Sequence, residues 1–219
     1  KNKHIYLVFG KHIIVITFLS YLLVGLWNDF RIPIVVLVTH LIIDTLKKAF
    51  KSDSLLLFML DQLAHYLVII TLSFYLINKT EIDQSKLYWM NLFGLDYLRF
   101  LVVVISIILI TKFSSIIISY IIKPFQSKIF KSEINNKEEI KTGKIIGYLE
   151  RIIILVLFLA NLPTIVGFLI TAKSILRYGE IKNHNDKVMV EYVLIGTLLS
   201  FTIGITISYL TTITLNYLA

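Results

Sequence analysis

Two histidine–aspartate pairs occur in mirrored order within one short stretch of the sequence. His40 and Asp44 are four residues apart, and Asp61 and His65 repeat that spacing in the reverse order. Residues four apart lie on one face of an α-helix, so two antiparallel helices joined near Ser52 would place both histidines at one depth and both aspartates at another. The spacing therefore predicts a helical hairpin in which two imidazoles and two carboxylates face each other.

This set of side chains is compatible with three kinds of function. Imidazole nitrogens and carboxylate oxygens suit a divalent ion such as Zn²⁺, which would acidify a bound water for attack on an ester or phosphoester. Buried aspartates and histidines also serve as proton relays in transporters. In a third interpretation, histidine–aspartate hydrogen bonds only hold helices together. The mirrored arrangement favours a functional centre and leaves the choice between metal and relay open.

The chain around these residues has the composition of a helical membrane protein. Of its 219 residues, 57% are hydrophobic and 16% are charged, whereas soluble domains carry about 25% charged residues. Several apolar runs reach the roughly 18 to 20 residues that cross a bilayer. We therefore predict an all-α, polytopic transmembrane helical bundle with about six spans. The absence of cysteine excludes disulfides and thiolate metal sites.

The formal net charge of +8 reflects basic residues that lie mostly in the connections between apolar segments. In a membrane protein such residues set the topology and meet anionic lipid headgroups, so we expect the bilayer as partner and no nucleic acid. The basic residues concentrate at the N-terminus, in the Lys47–Lys51 turn and in the Gln126–Lys144 linker. This bias predicts a multi-pass protein of the cell membrane with both termini of the chain in the cytoplasm.

The predicted segments divide the chain into two halves. An N-terminal membrane half covers residues 1–123 and contains the histidine–aspartate hairpin. A cytoplasmic polar linker covers 124–144, and a C-terminal membrane half covers 145–219. The fifth predicted span covers residues 145–172 with a kink at Pro163, and Lys173 after it is expected to pair with Glu191, close to Arg177.

Depth along the helices decides which polar side chains can meet. With a rise of about 1.5 Å per residue, the two aspartates lie roughly 13 Å from the centre of the basic turn and the two histidines roughly 19 Å. His12 and Glu150 enter from the same side of the membrane. The predicted metal ligands are therefore His12, His40, His65, Asp44 and Asp61. The candidate catalytic carboxylates are Asp44, Asp61 and Glu150, and the residues expected to hold an anionic headgroup are Lys47 and Arg151.

Taken together, these motifs resemble an uncharacterised family of bacterial integral membrane proteins, catalogued as a domain of unknown function. The similarity rests on His40-Leu-Ile-Ile-Asp44 with Lys47 and on Phe58-Met-Leu-Asp61-Gln62-Leu-Ala-His65. The segments Gly143–Arg151, Ala172–Arg177 and Glu191–Ser200 look like the second half of longer members. The resemblance implies a polytopic fold, no established activity, and a further N-terminal helix with a His/Asp motif that the printed sequence does not contain.

The function that these features favour is a membrane-embedded, metal-dependent hydrolase acting on a lipid-like substrate. A transport or binding component that uses the buried aspartates and histidines is the alternative. A structural membrane subunit of a larger complex is the third possibility.

Overall fold

The computed structural model describes residues 2–50, 54–79, 87–129, 133–181 and 187–219, with side chains for residues 9–50, 54–77, 87–125, 142–175 and 191–219. The described residues form helices and no strand, which confirms the all-α prediction. In chain order the elements are α1 (Asn2–Val24), α2 (Arg31–Ala49), α3 (Leu55–Lys79), α4 (Tyr88–Phe93), α5 (Leu95–Ile108), a π-helical turn π1 (Leu109–Phe113), α6 (Ser114–Ile129), α7 (Glu133–Leu159), α8 (Ile165–Ile181) and α9 (Lys187–Tyr217).

Three helices in the described part of the chain are long and apolar enough to cross a membrane. They cover Leu55–Ile77, Leu95–Phe125 and Glu191–Tyr217, and shorter apolar helices cover Phe9–Val24 and Ile165–Ile175. Their length and composition support membrane association. The number of spans predicted from the sequence, about six, is therefore approximate.

The chain consists of two compact units, Lys1–Tyr97 and Leu98–Ala219. In the first unit α2 packs against both α1 and α3, and in the second unit α9 packs against α6 and α7. The division between the units comes earlier in the chain than the predicted boundary at residue 123. Within the predicted linker 124–144, α6 continues to Ile129 and α7 begins at Glu133.

Local sequence fixes the beginnings of the two helices that form the hairpin. Before α2, the Oδ1 atom of Asp29 accepts a hydrogen bond from the backbone N–H of Arg31 at 3.0 Å, and Pro33 occupies the first turn, where its missing N–H costs nothing. Before α3, Ser54 Oγ accepts the backbone N–H of Leu57 at 3.3 Å, which is the contact of a helix N-cap. These two starts set the register in which the polar residues of α2 and α3 meet.

An aromatic cluster joins the short helix α4 to the end of α1. The indole Nε1 of Trp89 donates to the carbonyl of Leu22 at 2.6 Å, and the rings of Trp27 and Tyr88 stack with centroids 4.6 Å apart. Gly25 has a φ of 68°, and a Cβ atom there would lie 2.7 Å from Trp89 Cδ1. Glycine is therefore required at this turn both for its backbone conformation and for the close approach of the indole.

The prediction that residues 145–172 form one kinked span is wrong. Helix α7 ends at Leu159 and α8 begins at Ile165, with Asn161 in the left-handed region at φ 59°. Lys173 Nζ lies 2.5 Å from Glu150 Oε1, so α8 runs back along α7. The apolar length of the segment suggested a span, but the left-handed Asn161 followed by Pro163 reverses the chain within it.

The predicted pairing of Lys173 with Glu191 is also wrong, because this turn brings Lys173 to Glu150 instead. Folding α8 back onto α7 gives Lys173 a carboxylate partner at Glu150, while Glu191 is exposed at the start of the described part of α9. The side chain of Arg177, which was expected beside them, lies outside the described residues.

Arg99 connects the beginning of α5 to the end of α9. Its Nη2 atom donates to the carbonyl of Leu218 at 2.8 Å and to that of Ala219 at 3.3 Å, which suits a cation at a helix C-terminus. Because α5, π1 and α6 follow one another without a break, the end of α9 lies at the opposite end of this unit from the end of α6. The sequence prediction had placed residue 219 on the same side as the linker that follows α6.

Candidate metal centre

The helical hairpin of α2 and α3 brings its two histidines into direct contact, as the mirrored spacing predicts. The Nε2 atom of His65 lies 2.7 Å from the Nδ1 atom of His40, and the two rings meet edge to face with centroids 4.5 Å apart. The second nitrogen of His65, Nδ1, lies 2.8 Å from the backbone carbonyl oxygen of Asp61. Both histidines are therefore held in fixed orientations by the register of the two helices.

His12 of α1 and Asp44 of α2 form a triangle of ligand atoms with His40. The Nε2 atoms of His12 and His40 are 3.4 Å apart. Asp44 Oδ2 lies 3.7 Å from His40 Nε2 and 4.0 Å from His12 Nε2. We call these three residues the ligand triangle; their metal-binding atoms all lie within 4.8 Å of one another.

The dimensions of the ligand triangle are close to those that a small divalent ion requires. Tetrahedral Zn²⁺ with bonds of about 2.0–2.2 Å places its ligand atoms roughly 3.3–3.6 Å apart, whereas the edges of the triangle are 3.4, 3.7 and 4.0 Å long. The point in the plane of the three atoms that is equidistant from them lies about 2.2 Å from each, so a small inward movement of His12 and Asp44 would complete tetrahedral geometry. Three protein ligands leave one coordination position for water or substrate, which is the pattern of catalytic zinc sites.

The hydrogen bonds behind the ligand triangle assign the protons on both hairpin histidines. A backbone carbonyl only accepts, so Nδ1 of His65 carries a proton and donates it to the carbonyl of Asp61. In neutral His65 the Nε2 atom is then an acceptor, and His40 donates to it from Nδ1. This arrangement leaves the lone pair of His40 Nε2 free to face the triangle, which is what a metal ligand requires.

Asp61, predicted as a ligand and as a catalytic carboxylate, lies behind the histidines. Its Oδ2 atom accepts hydrogen bonds from Lys47 Nζ at 2.7 Å and from Gln62 Nε2 at 3.0 Å. Gln62 reaches this oxygen because its flexible side chain bends back to the neighbouring residue. The other oxygen, Oδ1, is buried without a hydrogen-bond partner among the described residues and lies 3.9 Å from His65 Nδ1.

Lys47, predicted to hold an anionic headgroup, is the cation that balances this buried carboxylate. The side chain of Asp61 is only 6% exposed, whereas that of Lys47 is 46% exposed. One face of the ammonium group is thus engaged by Asp61 while the rest of the side chain reaches the surface of the unit. A role for Lys47 in headgroup binding stays a prediction.

Residues 1–94 match the family described as "Protein of unknown function (DUF3307)". The matched part contains the ligand triangle together with Lys47, Asp61 and His65, so the resemblance to an uncharacterised family is confirmed where the polar centre lies. No curated protein and no solved structure matches the chain.

Two predicted site residues lie outside the DUF3307 region, in the second compact unit. Glu150 is paired with Lys173, and its other carboxylate oxygen, Oε2, is buried without a hydrogen-bond partner among the described residues. Arg151 is 2% exposed. Its Nη1 atom donates to Ser200 Oγ at 2.7 Å, and its Nε atom donates to the carbonyl of Ile110 in π1.

Two glycines, which have no side chain, leave room for the buried side chain of Arg151 in α7. A Cβ atom on Gly204 would lie 3.1 Å from Arg151 Cγ, and one on Gly147 would lie 3.1 Å from Arg151 Nη1. A headgroup could reach this guanidinium only if the contacts to Ser200 and Ile110 opened. The roles of Glu150 in catalysis and of Arg151 in headgroup binding stay predictions.

Proposed function

We propose that the DUF3307 region binds a divalent metal ion such as Zn²⁺ through His12, His40 and Asp44, and that the protein is a membrane-embedded hydrolase of a lipid-like substrate. The observation that supports this proposal most is the size of the ligand triangle, whose three donor atoms are 3.4, 3.7 and 4.0 Å apart. Imidazole and carboxylate are also the donor types that zinc sites of the catalytic class use.

His12, His40 and Asp44 would hold the ion, which would supply a nucleophilic water at neutral pH and charge that polarises an ester or phosphoester. The attacking water also needs a base. Asp61 has one carboxylate oxygen that finds no hydrogen-bond partner among the described residues and lies 3.9 Å from His65 Nδ1, which makes it our candidate for accepting the proton by way of His65.

We further propose that the protein is a multi-pass component of the cell membrane. The excess of lysine and arginine favours a cytoplasmic location for the N-terminus, for the Lys47–Lys51 turn and for the linker after α6. The contact between Arg99 and Leu218 supports a non-cytoplasmic location for the end of α9. We therefore propose a cytoplasmic N-terminus and a non-cytoplasmic end of α9, in place of the two cytoplasmic termini predicted from the charge distribution.

Metal analysis of the purified protein tests this proposal. We expect equimolar zinc in the wild type after dialysis, with loss of most of it in His12→Asn, His40→Asn and Asp44→Asn, because each variant removes one donor. Asp61→Asn is the matched control, since its carboxylate lies outside the triangle, and it should keep the metal. Zinc-loaded protein should hydrolyse p-nitrophenyl esters or phosphoesters in micelles, and Asp44→Asn should not. Equal metal content in the wild type and in the three triangle variants would refute the site.

A proton relay is the second candidate, because the polar side chains form a continuous series. The contacts run from His12 to His40 at 3.4 Å, from His40 to His65 at 2.7 Å, and from His65 to the backbone of Asp61 at 2.8 Å. Proton flux into liposomes carrying the metal-free protein, abolished by His40→Asn, would favour this function over hydrolysis. Flux that is identical in wild type and variant would exclude it.

A further inference from the structure

The ammonium group of Lys47 lies between a buried carboxylate and the surface of the first unit. Its Nζ atom donates to Asp61 Oδ2 at 2.7 Å, and the side chain of Lys47 is 46% exposed whereas that of Asp61 is 6% exposed. Lys47 belongs to the last turn of α2. Its long aliphatic stem allows the ammonium group to turn outward while the helix stays in place.

The carboxylate of Asp61 keeps a hydrogen bond when Lys47 turns away. The Nε2 atom of Gln62 donates to the same oxygen, Oδ2, at 3.0 Å. The other oxygen, Oδ1, has no hydrogen-bond partner among the described residues and lies 3.9 Å from His65 Nδ1. Departure of the ammonium group would therefore leave a carboxylate that Gln62 still orients, with its negative charge beside a histidine.

The surface around the end of α2 suits the headgroup region of a membrane. Leu46 precedes Lys47, Phe50 follows the helix and Leu56 lies in the first turn of α3, and each is more than half exposed. Apolar side chains next to lysines are typical of segments that lie between headgroups and acyl chains. The anionic group in that region that a lysine ammonium binds is phosphate.

We propose that Asp61 and a phosphate monoester, carried by an anionic lipid such as phosphatidic acid, compete for the ammonium group of Lys47. Bound phosphate removes the cation from Asp61, so the negative charge of Asp61 acts on the ligand triangle without compensation. Lipid at the end of α2 then strengthens metal binding, and bound metal strengthens lipid binding by the same factor. This coupling rests on the proposed function, whereas the competition for Lys47 does not.

Native mass spectrometry of the metal-free full chain in detergent, titrated with phosphatidic acid, tests the competition. We expect Asp61→Asn to bind the first lipid roughly tenfold more tightly than the wild type, because its side chain no longer holds Lys47. Lys47→Met should bind the lipid more weakly than the wild type, and so should the double variant Lys47→Met with Asp61→Asn. An unchanged affinity in Asp61→Asn, or a gain that persists in the double variant, would overturn the proposal.

Lys48→Met is the matched control for the loss of one lysine from this turn. The Nζ atom of Lys48 lies 2.9 Å from the centre of the Phe9 ring and is therefore directed at α1. The tenfold gain caused by Asp61→Asn should remain when Lys48→Met is added. If Asp61→Asn does not fold, Gln62→Met carries the test. That change removes the second donor to Asp61, so Lys47 is held more firmly and lipid affinity should fall; an unchanged affinity would overturn the proposal.

The source of the phosphate is decided by comparing ligands. Phosphatidylcholine, whose phosphate is a diester paired with choline, should bind equally to the wild type and to Asp61→Asn. Inorganic phosphate at the concentration of the lipid should not displace phosphatidic acid. Displacement would assign Lys47 to free phosphate and overturn the lipid assignment.

Zinc affinity in nanodiscs tests the coupling separately. It should rise by roughly threefold in the wild type when phosphatidic acid replaces part of the phosphatidylcholine, and it should not respond in Lys47→Met. A zinc affinity that is the same in both membranes would overturn the coupling and leave the competition standing. The expected lipid affinities in protein that binds no zinc would refute the metal centre and support the competition for Lys47.

Discussion

The Nδ1 atom of His40 lies 2.7 Å from the Nε2 atom of His65. This contact leaves the Nε2 atom of His40 as the ring nitrogen that can bind a metal ion. His65 is anchored by the backbone carbonyl of Asp61, and His40 is anchored by His65. The nitrogen of His40 that faces His12 and Asp44 is therefore the unprotonated one. His65 thus positions a ligand without belonging to the ligand triangle.

Replacing His65 by alanine should weaken zinc binding without removing a ligand. The loss of a partner that orients a metal-bound histidine typically lowers metal affinity by about 10- to 100-fold. His65→Gln, whose side-chain oxygen can accept the hydrogen bond from His40, should recover part of the affinity. Competition titration with a zinc chelator measures both values, and Tyr66→Phe serves as the neighbouring control. An affinity unchanged in His65→Ala would show that His40 needs no such support.

Replacing Lys47 by methionine should destabilise the first unit, because it leaves the buried carboxylate of Asp61 without its cation. Removing one partner of a fully buried pair costs about 3–5 kcal/mol, but half-exposed Lys47 is partly screened by solvent, so we expect about 1–2 kcal/mol. Thermal unfolding in nanodiscs measures the difference. The double variant Lys47→Met with Asp61→Leu should restore much of the stability. A double variant that is less stable than Lys47→Met would show that Lys47 does not stabilise the first unit by neutralising Asp61.

Replacing Gly25 by alanine should separate the aromatic cluster from the end of α1. The added Cβ would meet Trp89 at 2.7 Å, and φ is 68° at this position, so we expect a loss of about 1–3 kcal/mol in unfolding free energy. Gly10→Ala is the matched control, because nothing lies within 4 Å of its Cβ position inside α1. That variant should gain up to about 1 kcal/mol from helix propensity. Tryptophan fluorescence reports the local change directly.

The ion pair between Asp29 and Arg31 predicts a small pH dependence at the start of α2. Hydrogen bonding to the Arg31 side chain lowers the pKa of Asp29 below its ordinary value of 3.8. A lowered folded-state pKa contributes stability above the unfolded-state value, and that stability is lost as the pH falls through the folded-state value. Wild type should therefore exceed Asp29→Asn in unfolding free energy by about 0.2–1 kcal/mol at neutral pH. The gap should close in strong acid; a gap independent of pH would contradict this origin.

The hairpin was predictable because its signal is local. A four-residue spacing fixes a helix face, and its mirrored repeat about a turn fixes the relative depth of His40 and His65. The partner of Asp61 was not predictable in this way, since it depends on the conformation of the long flexible side chain of Lys47 on the neighbouring helix. The fold-back of α8 was hidden as well, because apolar length alone does not distinguish one crossing from two shorter helices.

The participation of His12 depends on how α1 packs against α2, which no spacing within either helix encodes. A groove between α2 and α3 was not predicted for a related reason, because it depends on the distance between two helices. Its lining combines Val35 and Thr39 of α2 with Leu67 and Thr71 of α3.

The return of α8 along α7 has a consequence for any reporter attached to this protein. In the described part of the second unit, Leu218 lies at the end where Arg99 lies, whereas α6 ends at the opposite end of the continuous α5–π1–α6 segment. A periplasmic-type phosphatase fused after residue 219 should be active, and the same enzyme inserted near residue 130 should be silent.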